Sequence, residues 1–211
     1  MLNPCFQVNL DVAGRDCLVI GGNAEAADKT RRLLDARARV RLVSPTITDP
    51  LRSWRDAGRL HHEERTFAAA DLDGVFLVVN AVASDLRLTA EVFSLASARG
   101  LLINSFDNPE HSNFGMVALV AAGHLRLAIS TSNASPSLAG RLRRDLESIF
   151  DEEFVEYVGL LARVRERLRD EEPDRERRWQ MLRSLVADFS LQGRLEYPEK
   201  WRETVEKLLA D

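Results

Sequence analysis

The sequence is poor in cysteine and in long apolar runs. Only two cysteines, Cys5 and Cys17, occur among 211 residues, which excludes the disulfide framework of a small secreted protein. No uninterrupted apolar run approaches the roughly 20 residues that a membrane-spanning helix needs. Residues 1–4 also lack the basic and then apolar order of a signal peptide. We therefore expect a cytoplasmic protein without a membrane partner.

The sequence also lacks an excess of positive charge. Its formal net charge of −4 argues against nucleic acid as a partner. Lysine occurs at only three positions, so nearly all the basic residues are arginines. Genomic base composition explains this bias most simply. The alternative is recognition of carboxylates by the planar guanidinium, which we consider for Arg141, Arg143 and Arg144.

The first half of the chain alternates between strand and helix patterns. Apolar or alternating segments predict strands, and amphipathic segments predict helices. The predicted strands cover 16–20, 39–43, 60–66, 74–81 and 101–104, and the predicted helices cover 24–36 and 85–99. Such alternation is typical of a parallel sheet with right-handed helical crossovers, so we predict an α/β fold.

The pattern changes after about residue 113. Residues 125–130 predict one more strand, and Ser135-Pro136 is typical of a helix cap followed by the first helical residue. From there the sequence is helical to its end, with breaks at proline and glycine. We therefore divide the chain into a dinucleotide-binding domain, a connector and a helical domain, at residues 1–113, 114–150 and 151–211.

The first strand leads into a glycine turn. Residues 16–29 contain an apolar strand, the pair Gly21-Gly22 and the start of a helix, which together form the first unit of a dinucleotide-binding fold. Such a turn directs backbone N–H groups and a helix dipole toward a pyrophosphate. Ala26 fits the third position of the glycine motif, but Asn23 replaces its second glycine.

The tip of the second strand bears on the choice of cofactor. It ends in Ser44-Pro45-Thr46 and offers no carboxylate for the ribose hydroxyls, so a hydroxyl and backbone groups would have to bind them. Arg41 could meet a 2′-phosphate, but in an alternating strand we expect it to face solvent. These residues do not separate NAD from NADP.

Two longer motifs resemble those of the precorrin-2 dehydrogenase/sirohydrochlorin ferrochelatase family, the N-terminal module of siroheme synthases. One is Asn104-Ser105-Phe106-Asp107-Asn108-Pro109, and the other is Ser135-Pro136 followed by Leu138-Ala139. Both are far more specific than the glycine turn. The resemblance runs from about residue 3 to 150. The chain resembles the stand-alone members of the family, because it is too short to hold the methyltransferase that other members carry.

The resemblance implies a function in siroheme biosynthesis. NAD-dependent oxidation of precorrin-2 gives sirohydrochlorin, and many members then insert ferrous iron as a substrate, whereas others only oxidise. The implied fold is a Rossmann-like parallel-sheet domain followed by a dimerisation region and a C-terminal helical domain, in a homodimer. We expect no permanently bound metal.

Asp107 is the predicted catalytic residue. It follows a buried strand end, where ligands bind in open parallel sheets. Loss of a hydride from precorrin-2 is accompanied by loss of a proton, and metal insertion removes two pyrrole protons, so one carboxylate can serve as base in either step. The alternative is a non-catalytic turn at Asp107-Asn108-Pro109. His111, in the same loop, is a weaker candidate for a transient iron ligand.

Two groups of residues are predicted to bind ligands. The cofactor contacts lie at the carboxyl ends of the strands: Gly21, Gly22, Asn23, Ala24, Glu25, Ser44, Pro45, Thr46, Ala81 and Asn104. The tetrapyrrole contacts, implied by the resemblance, lie around the start of the helix at Pro136: Thr131, Ser132, Asn133, Ser135 and Arg143. Asn104 would contact the cofactor or order its loop, and the alternative is that it only ends a strand. The alternatives for the other group are that residues 130–135 only cap a helix and that Arg143 is solvated.

Three glycines expected from the family are replaced, by Asn23, Arg37 and Asn133. Asparagine tolerates positive φ well, so Asn23 and Asn133 are expected to keep the backbone path. Arg37 in a left-handed conformation would cost about 1 kcal/mol. The Asn23 side chain would either crowd the pyrophosphate or hydrogen-bond to it. The hypothesis is that NAD binds more weakly than in members with glycine here.

Two other functions stay open at this point. A chelatase that has lost the oxidation step would combine eroded nucleotide motifs with an intact Asp107. A non-enzymatic, nucleotide-sensing dimer would bind the cofactor without converting a tetrapyrrole, and it would not need Asp107.

Overall fold

The computed structural model describes residues 6–195 and 197–210, so Cys5 lies outside the described residues. The chain falls into two compact units. The first comprises the residues up to Leu119 together with Ala128–Arg143, and the second comprises Val120–Leu127 together with the residues from Arg144 onward.

A five-stranded sheet forms the centre of the first unit. Its strands are β1 (Asp16–Ile20), β2 (Arg39–Val43), β3 (Leu60–Glu63), β4 (Leu77–Asn80) and β5 (Leu102–Ser105). They lie in the order β3-β2-β1-β4-β5, and every neighbouring pair is parallel. The predicted α/β class with a parallel sheet is confirmed.

Helices cover both faces of this sheet. Helix α1 (Ala24–Asp35) and α2 (Asp49–Asp56) contribute to one core cluster, and α3 (Leu86–Ala98) contributes to the other. Successive residues of β1 alternate between the two clusters, and four of its five residues are buried. A strand covered on both faces reads as a continuous apolar run, which is why its sequence signal was strong.

Helix α2 was not predicted from the sequence. It has eight residues, of which only Leu51 is buried, and Pro50 stands in its first turn. A single buried residue gives no helical periodicity, so the segment carries no pattern that sequence analysis can detect.

The order of the strands creates a crevice in the first unit. The chain passes from β1 outward to β2 and β3, and then returns to the other side of β1 to form β4 and β5. The carboxyl ends of β1 and β4 therefore lie next to each other at the point where the connections diverge. Open α/β sheets bind their ligands at such a switch point.

A two-stranded sheet follows β5. It consists of β6 (Ala118–Ala122) and β7 (Leu125–Ile129), whose two-residue connection makes the pair antiparallel. The sequence predicted β7 but missed β6, because three of the five β6 residues are alanines, which favour strands weakly. Helix α4 (Pro136–Glu147) begins at the predicted Ser135-Pro136.

The remaining residues of the second unit are mainly helical. They form α5 (Glu152–Glu171), α6 (Arg175–Ser184) and α7 (Trp201–Ala210). Asp151 and Asp174 cap the first two helices through their side chains, and the predicted break at Pro173 separates them. No helix in the described part of the chain is long and apolar enough to cross a membrane.

Candidate functional site

The turn after β1 can be formed only with its two glycines. Gly21 has a φ of +111°, and its N–H donates to the Val43 carbonyl at 3.0 Å. A Cβ atom on Gly22 would lie 1.8 Å from the Thr46 carbonyl oxygen. The loop after β2 therefore presses directly against Gly22, and any side chain at that position would displace it.

Asn23 does not adopt the conformation expected from the sequence. Its φ is −82°, so the expected positive φ is wrong; the residue is the extended N-cap of α1. Its Oδ1 accepts a hydrogen bond from the Ala26 N–H at 2.9 Å, and its Nδ2 donates to the Ala81 carbonyl at 3.0 Å. Both ends of the side chain are thus bonded to the protein.

The first turn of α1 presents unused donors. Within the described residues, the N–H groups of Asn23, Ala24 and Glu25 have no acceptor. They lie at the positive end of the helix dipole, an arrangement suited to a phosphate. The Glu25 carboxylate in this turn lies 3.4 Å from Lys29 Nζ, which offsets its negative charge.

The tip of β2 is shaped by internal hydrogen bonds. The Ser44 hydroxyl donates to the Thr46 carbonyl at 2.7 Å, and the Nε2 of His62 lies 2.9 Å from the Ser44 carbonyl. Pro45 and Thr46 are exposed. Thr46 therefore offers the exposed hydroxyl at this tip, and the predicted cofactor contacts of Ser44, Pro45 and Thr46 stay predictions. His62 supports this loop, a role that was not predicted.

Arg41 does not face solvent as predicted. Its Nη1 lies 3.1 Å from Asp71 Oδ1 and 3.4 Å from Glu63 Oε1. The Asp71 carboxylate is buried and accepts further hydrogen bonds from Arg65 and from the Ala68 N–H. Arg41 lies on the face of β2 opposite the core containing α1, where an ionic cluster rather than solvent surrounds its guanidinium.

Asn80 organises the end of β4. It is 1% exposed, its Nδ2 donates to Thr89 Oγ1 at 3.0 Å, and its Oδ1 accepts from the Val82 N–H at 3.0 Å. Its carbonyl accepts from the Phe106 N–H at 2.8 Å and so joins the loop after β5 to the end of β4. This role of Asn80 was not predicted, although an amide at the end of an apolar strand was a visible signal.

Asp107 lies in the loop that Asn80 anchors. Its side chain is exposed, and its φ of +54° is left-handed. A left-handed conformation costs a residue other than glycine about 1–2 kcal/mol, and such strain is concentrated at functional sites. Phe106, immediately before it, has its ring centre 5.8 Å from Lys29 Nζ, so the cation that balances Glu25 also faces this loop.

Asn104 orders the segment that follows this loop. Its Nδ2 donates to the Phe114 carbonyl at 3.0 Å. Beside it, the Ser112 hydroxyl and the Asn113 amide oxygen accept the N–H groups of Ser105 and Ile103. Side chains thus satisfy the outer edge of β5. The expected role of Asn104 in ordering its loop is confirmed, and its contact with the cofactor stays a prediction.

His111 has a packing role in this structure. Its Nδ1 lies 2.6 Å from Asn108 Oδ1, and its ring makes an edge contact with Phe93 at 5.5 Å between centres. The imidazole therefore supports the loop around Asp107 from the side of α3.

The predicted tetrapyrrole loop is stabilised from within. Thr131 Oγ1 accepts from the Ser135 N–H at 3.1 Å, and Ser135 Oγ accepts from the Leu138 N–H at 3.2 Å as a helix cap. Ser132 and Asn133 have φ values of +51° and +66°, so the expected left-handed Asn133 is confirmed. Contacts of this loop and of Arg143 with a substrate stay predictions.

The described structure thus joins most of the predicted cofactor residues at one edge of the sheet. Hydrogen bonds connect the glycine turn to the tip of β2 and to Ala81, and the end of β4 to the backbone next to Asp107. This edge can hold a dinucleotide along the N–H groups of α1 and present a carboxylate beside it.

Residues 8–118 match the model of a putative NAD(P)-binding family. The chain is 33% identical over 195 residues to siroheme synthase 1 of Halorhodospira halophila, covering 90% of this chain and 40% of that protein. It is 28% identical over 183 residues to the precorrin-2 dehydrogenase of Priestia megaterium, covering 87% and 90%. The solved structure of SirC, precorrin-2 dehydrogenase, matches with a TM-score of 0.72 and 27% identity, covering 98% of this chain and 100% of that one.

The extent of these matches differs between the two groups of relatives. The chain spans 34–42% of the length of the first siroheme synthases it matches, but 90% of the length of the precorrin-2 dehydrogenase. The family resemblance that the motifs indicated is confirmed. Because residues 8–118 match the family's model, the chain belongs to the putative NAD(P)-binding family.

Proposed function

We propose that this chain oxidises precorrin-2 to sirohydrochlorin in siroheme biosynthesis, with NAD as the hydride acceptor. The observation that carries the proposal is the position of Asp107, exposed and left-handed, on a loop hydrogen-bonded to the end of β4 beside the glycine turn. The names of the relatives, precorrin-2 dehydrogenase and siroheme synthase, support the same reaction.

The residues present fit a dinucleotide. The N–H groups of Asn23, Ala24 and Glu25, which have no acceptor within the described residues, form a cradle suited to a pyrophosphate. Thr46 and the neighbouring backbone would bind the ribose. Because Arg41 is held by Asp71 and Glu63, it is not available for a 2′-phosphate, which favours NAD over NADP.

When bound, NAD would supply the acceptor for the hydride. The Asp107 carboxylate would take the proton that precorrin-2 releases in the same oxidation. The substrate carries many carboxylates, so Arg143 would pair with one of them while Thr131, Ser132, Asn133 and Ser135 line the cleft. In members that insert iron, ferrous iron is a second substrate, and the same carboxylate would accept the pyrrole protons.

An anaerobic absorption experiment tests this proposal. Precorrin-2 is mixed with the protein in the presence and absence of NAD, and sirohydrochlorin formation is followed, with Asp107→Asn as the control. Product that requires both NAD and Asp107 supports the proposal, and adding ferrous iron then tests insertion. The absence of oxidation would overturn the proposal. If supplied sirohydrochlorin then takes up metal faster than in a blank without protein, the result favours a chelatase. If the protein only binds NAD, the result favours a sensor.

We further propose that the protein acts in the cytoplasm as a homodimer, with residues 114–150 as the dimerisation region. Support within this region comes from Leu138 and Ile149, large apolar side chains that are 51% and 46% exposed. Trp179 at 53% and Leu191 at 56%, in the second unit, offer a further apolar contact. Exposed apolar clusters of this kind mark interaction surfaces.

A further inference from the structure

Asn23 links two parts of the chain that the sheet topology separates. Its own turn follows β1, whereas its acceptor, the Ala81 carbonyl, follows β4 and is 58 residues away. The Ala81 N–H in turn donates to the Ile20 carbonyl at 2.8 Å. Two hydrogen bonds therefore span the switch point, one from the backbone and one from the Asn23 side chain.

The amide of Asn23 suits both of its contacts in only one orientation. The oxygen faces the Ala26 N–H, and the nitrogen faces a carbonyl. A serine at this position would still cap α1 but is too short to reach Ala81. A glycine would also be an acceptable N-cap, without either side-chain bond. The bond to Ala81 is therefore specific to the asparagine.

The same geometry keeps the side chain away from the free donors. Because Oδ1 is bonded to the third N–H of the helix, the earlier N–H groups stay available to a ligand. The direction of these N–H groups depends on the turn after β1, which the Asn23 side chain connects to the end of β4. A preorganised set of donors binds better than one that must be ordered on binding.

We infer that Asn23 is a positioning residue that holds the pyrophosphate cradle in its binding conformation by fastening the turn after β1 to the turn after β4. It replaces the flexibility of the glycine expected here with a fixed connection. The inference rests on the proposed function, because it presumes that a dinucleotide binds at this turn. It predicts that Asn23 strengthens NAD binding, whereas the hypothesis drawn from the sequence is that Asn23 weakens it.

Binding of NADH to the full-length chain, followed by fluorescence, tests this inference. Asn23→Ser removes the bond to Ala81 and keeps the cap, so we expect the Kd for NADH to rise roughly fivefold to tenfold. Asn23→Gly should raise the Kd as well. Asp151→Ser is the matched control. Asp151 caps α5 in the same way, by accepting from the Phe154 N–H, but it lies in the second unit. The Kd of this variant for NADH should equal that of the unmodified chain.

Thermal unfolding of the ligand-free variants separates positioning from folding. Serine and glycine are both good N-caps, so each variant should be folded at the temperature of the titration. A purely structural role would leave the Kd of the folded variants unchanged and would overturn the inference. A lower Kd for Asn23→Gly would overturn it too, in favour of crowding by Asn23. If the unmodified chain does not bind NADH, the proposed function itself fails.

Discussion

At position 107, backbone stability and the proposed chemistry favour different residues. The left-handed backbone of Asp107 is unfavourable for residues with a Cβ; glycine tolerates it best, and asparagine and aspartate tolerate it better than most other residues. Glycine would serve a turn alone at the lowest backbone cost, so a carboxylate at this position fits the proposed role of Asp107 as a base.

The substitution Asp107→Gly therefore separates the two interpretations. We expect the free energy of unfolding to rise by about 1 kcal/mol, because the left-handed strain is relieved. The rate of sirohydrochlorin formation should fall by roughly 10²–10⁴-fold, because the base is removed. Urea denaturation and the anaerobic assay measure the two effects.

Asp107→Asn provides the control for this prediction. It retains the side-chain size and the tolerance of positive φ, so stability and NADH binding should be preserved while turnover is lost. If either variant oxidises precorrin-2 at the normal rate, Asp107 is a turn residue and the proposed base lies elsewhere.

Another left-handed residue, Arg37, lies just beyond the end of helix α1. Arg37 has a φ of +61° just beyond the helix, where glycine is the preferred residue. We expect Arg37→Gly to raise the free energy of unfolding by about 1 kcal/mol. Arg31→Gly, an arginine on the same helix but inside it, should lower the free energy by about 1 kcal/mol. Equal effects of the two substitutions, measured by urea denaturation, would contradict this account.

The ionic cluster beside β2 and β3 makes stability depend on pH. Hydrogen bonds from Arg65 are the largest cause that lowers the pKa of Asp71 below its ordinary value of 3.8. Since the pKa is lowered by folding, the stabilisation is fully present above 3.8 and is lost as the pH falls through the folded-state pKa. The free energy of unfolding should therefore decrease between about pH 5 and pH 2.

Asp71→Asn tests the source of this dependence. The variant should lose roughly 1–3 kcal/mol at pH 7, because Arg65 and Arg41 lose a charged acceptor. Its stability should also change less with pH in the acid range. Asp73→Asn is the control, since the Asp73 side chain is 71% exposed and its nearest cation is 3.8 Å away. An Asp71 variant with an unchanged pH profile would show that other carboxylates dominate acid unfolding.

The elements differ in how far their sequences determine them. Strands β1 and β2 were predicted at their observed bounds, because burial or alternation marks every residue. The conformation of Asn23 was mispredicted, because the motif alone does not reveal that the residue caps α1. The partners of Arg41, Glu63 and Asp71, are 22 and 30 residues away in the sequence, so no local pattern could identify them.

At the scale of the whole chain, the two units differ in how completely they bury their apolar residues. In the first unit, the sheet and its helices bury leucine, isoleucine and valine on both faces. In the second unit, Leu185, Val186, Phe189 and Leu191 are all more than 40% exposed within one short segment. A folded unit with this exposure is expected to bury the segment against another chain.

We accordingly predict that the chain sediments at twice its mass of 23.7 kDa, and that Leu191→Glu converts it to a monomer. Leu191 lies outside the helices, so a glutamate there should leave the monomer folded while placing a charge in the apolar contact. Leu86→Glu is the control, because Leu86 is 66% exposed in the first unit and should tolerate the charge without a change in mass. A monomeric unmodified chain at micromolar concentration would contradict the homodimer. A dimeric Leu191→Glu variant would leave residues 114–150 as the dimer contact without this segment.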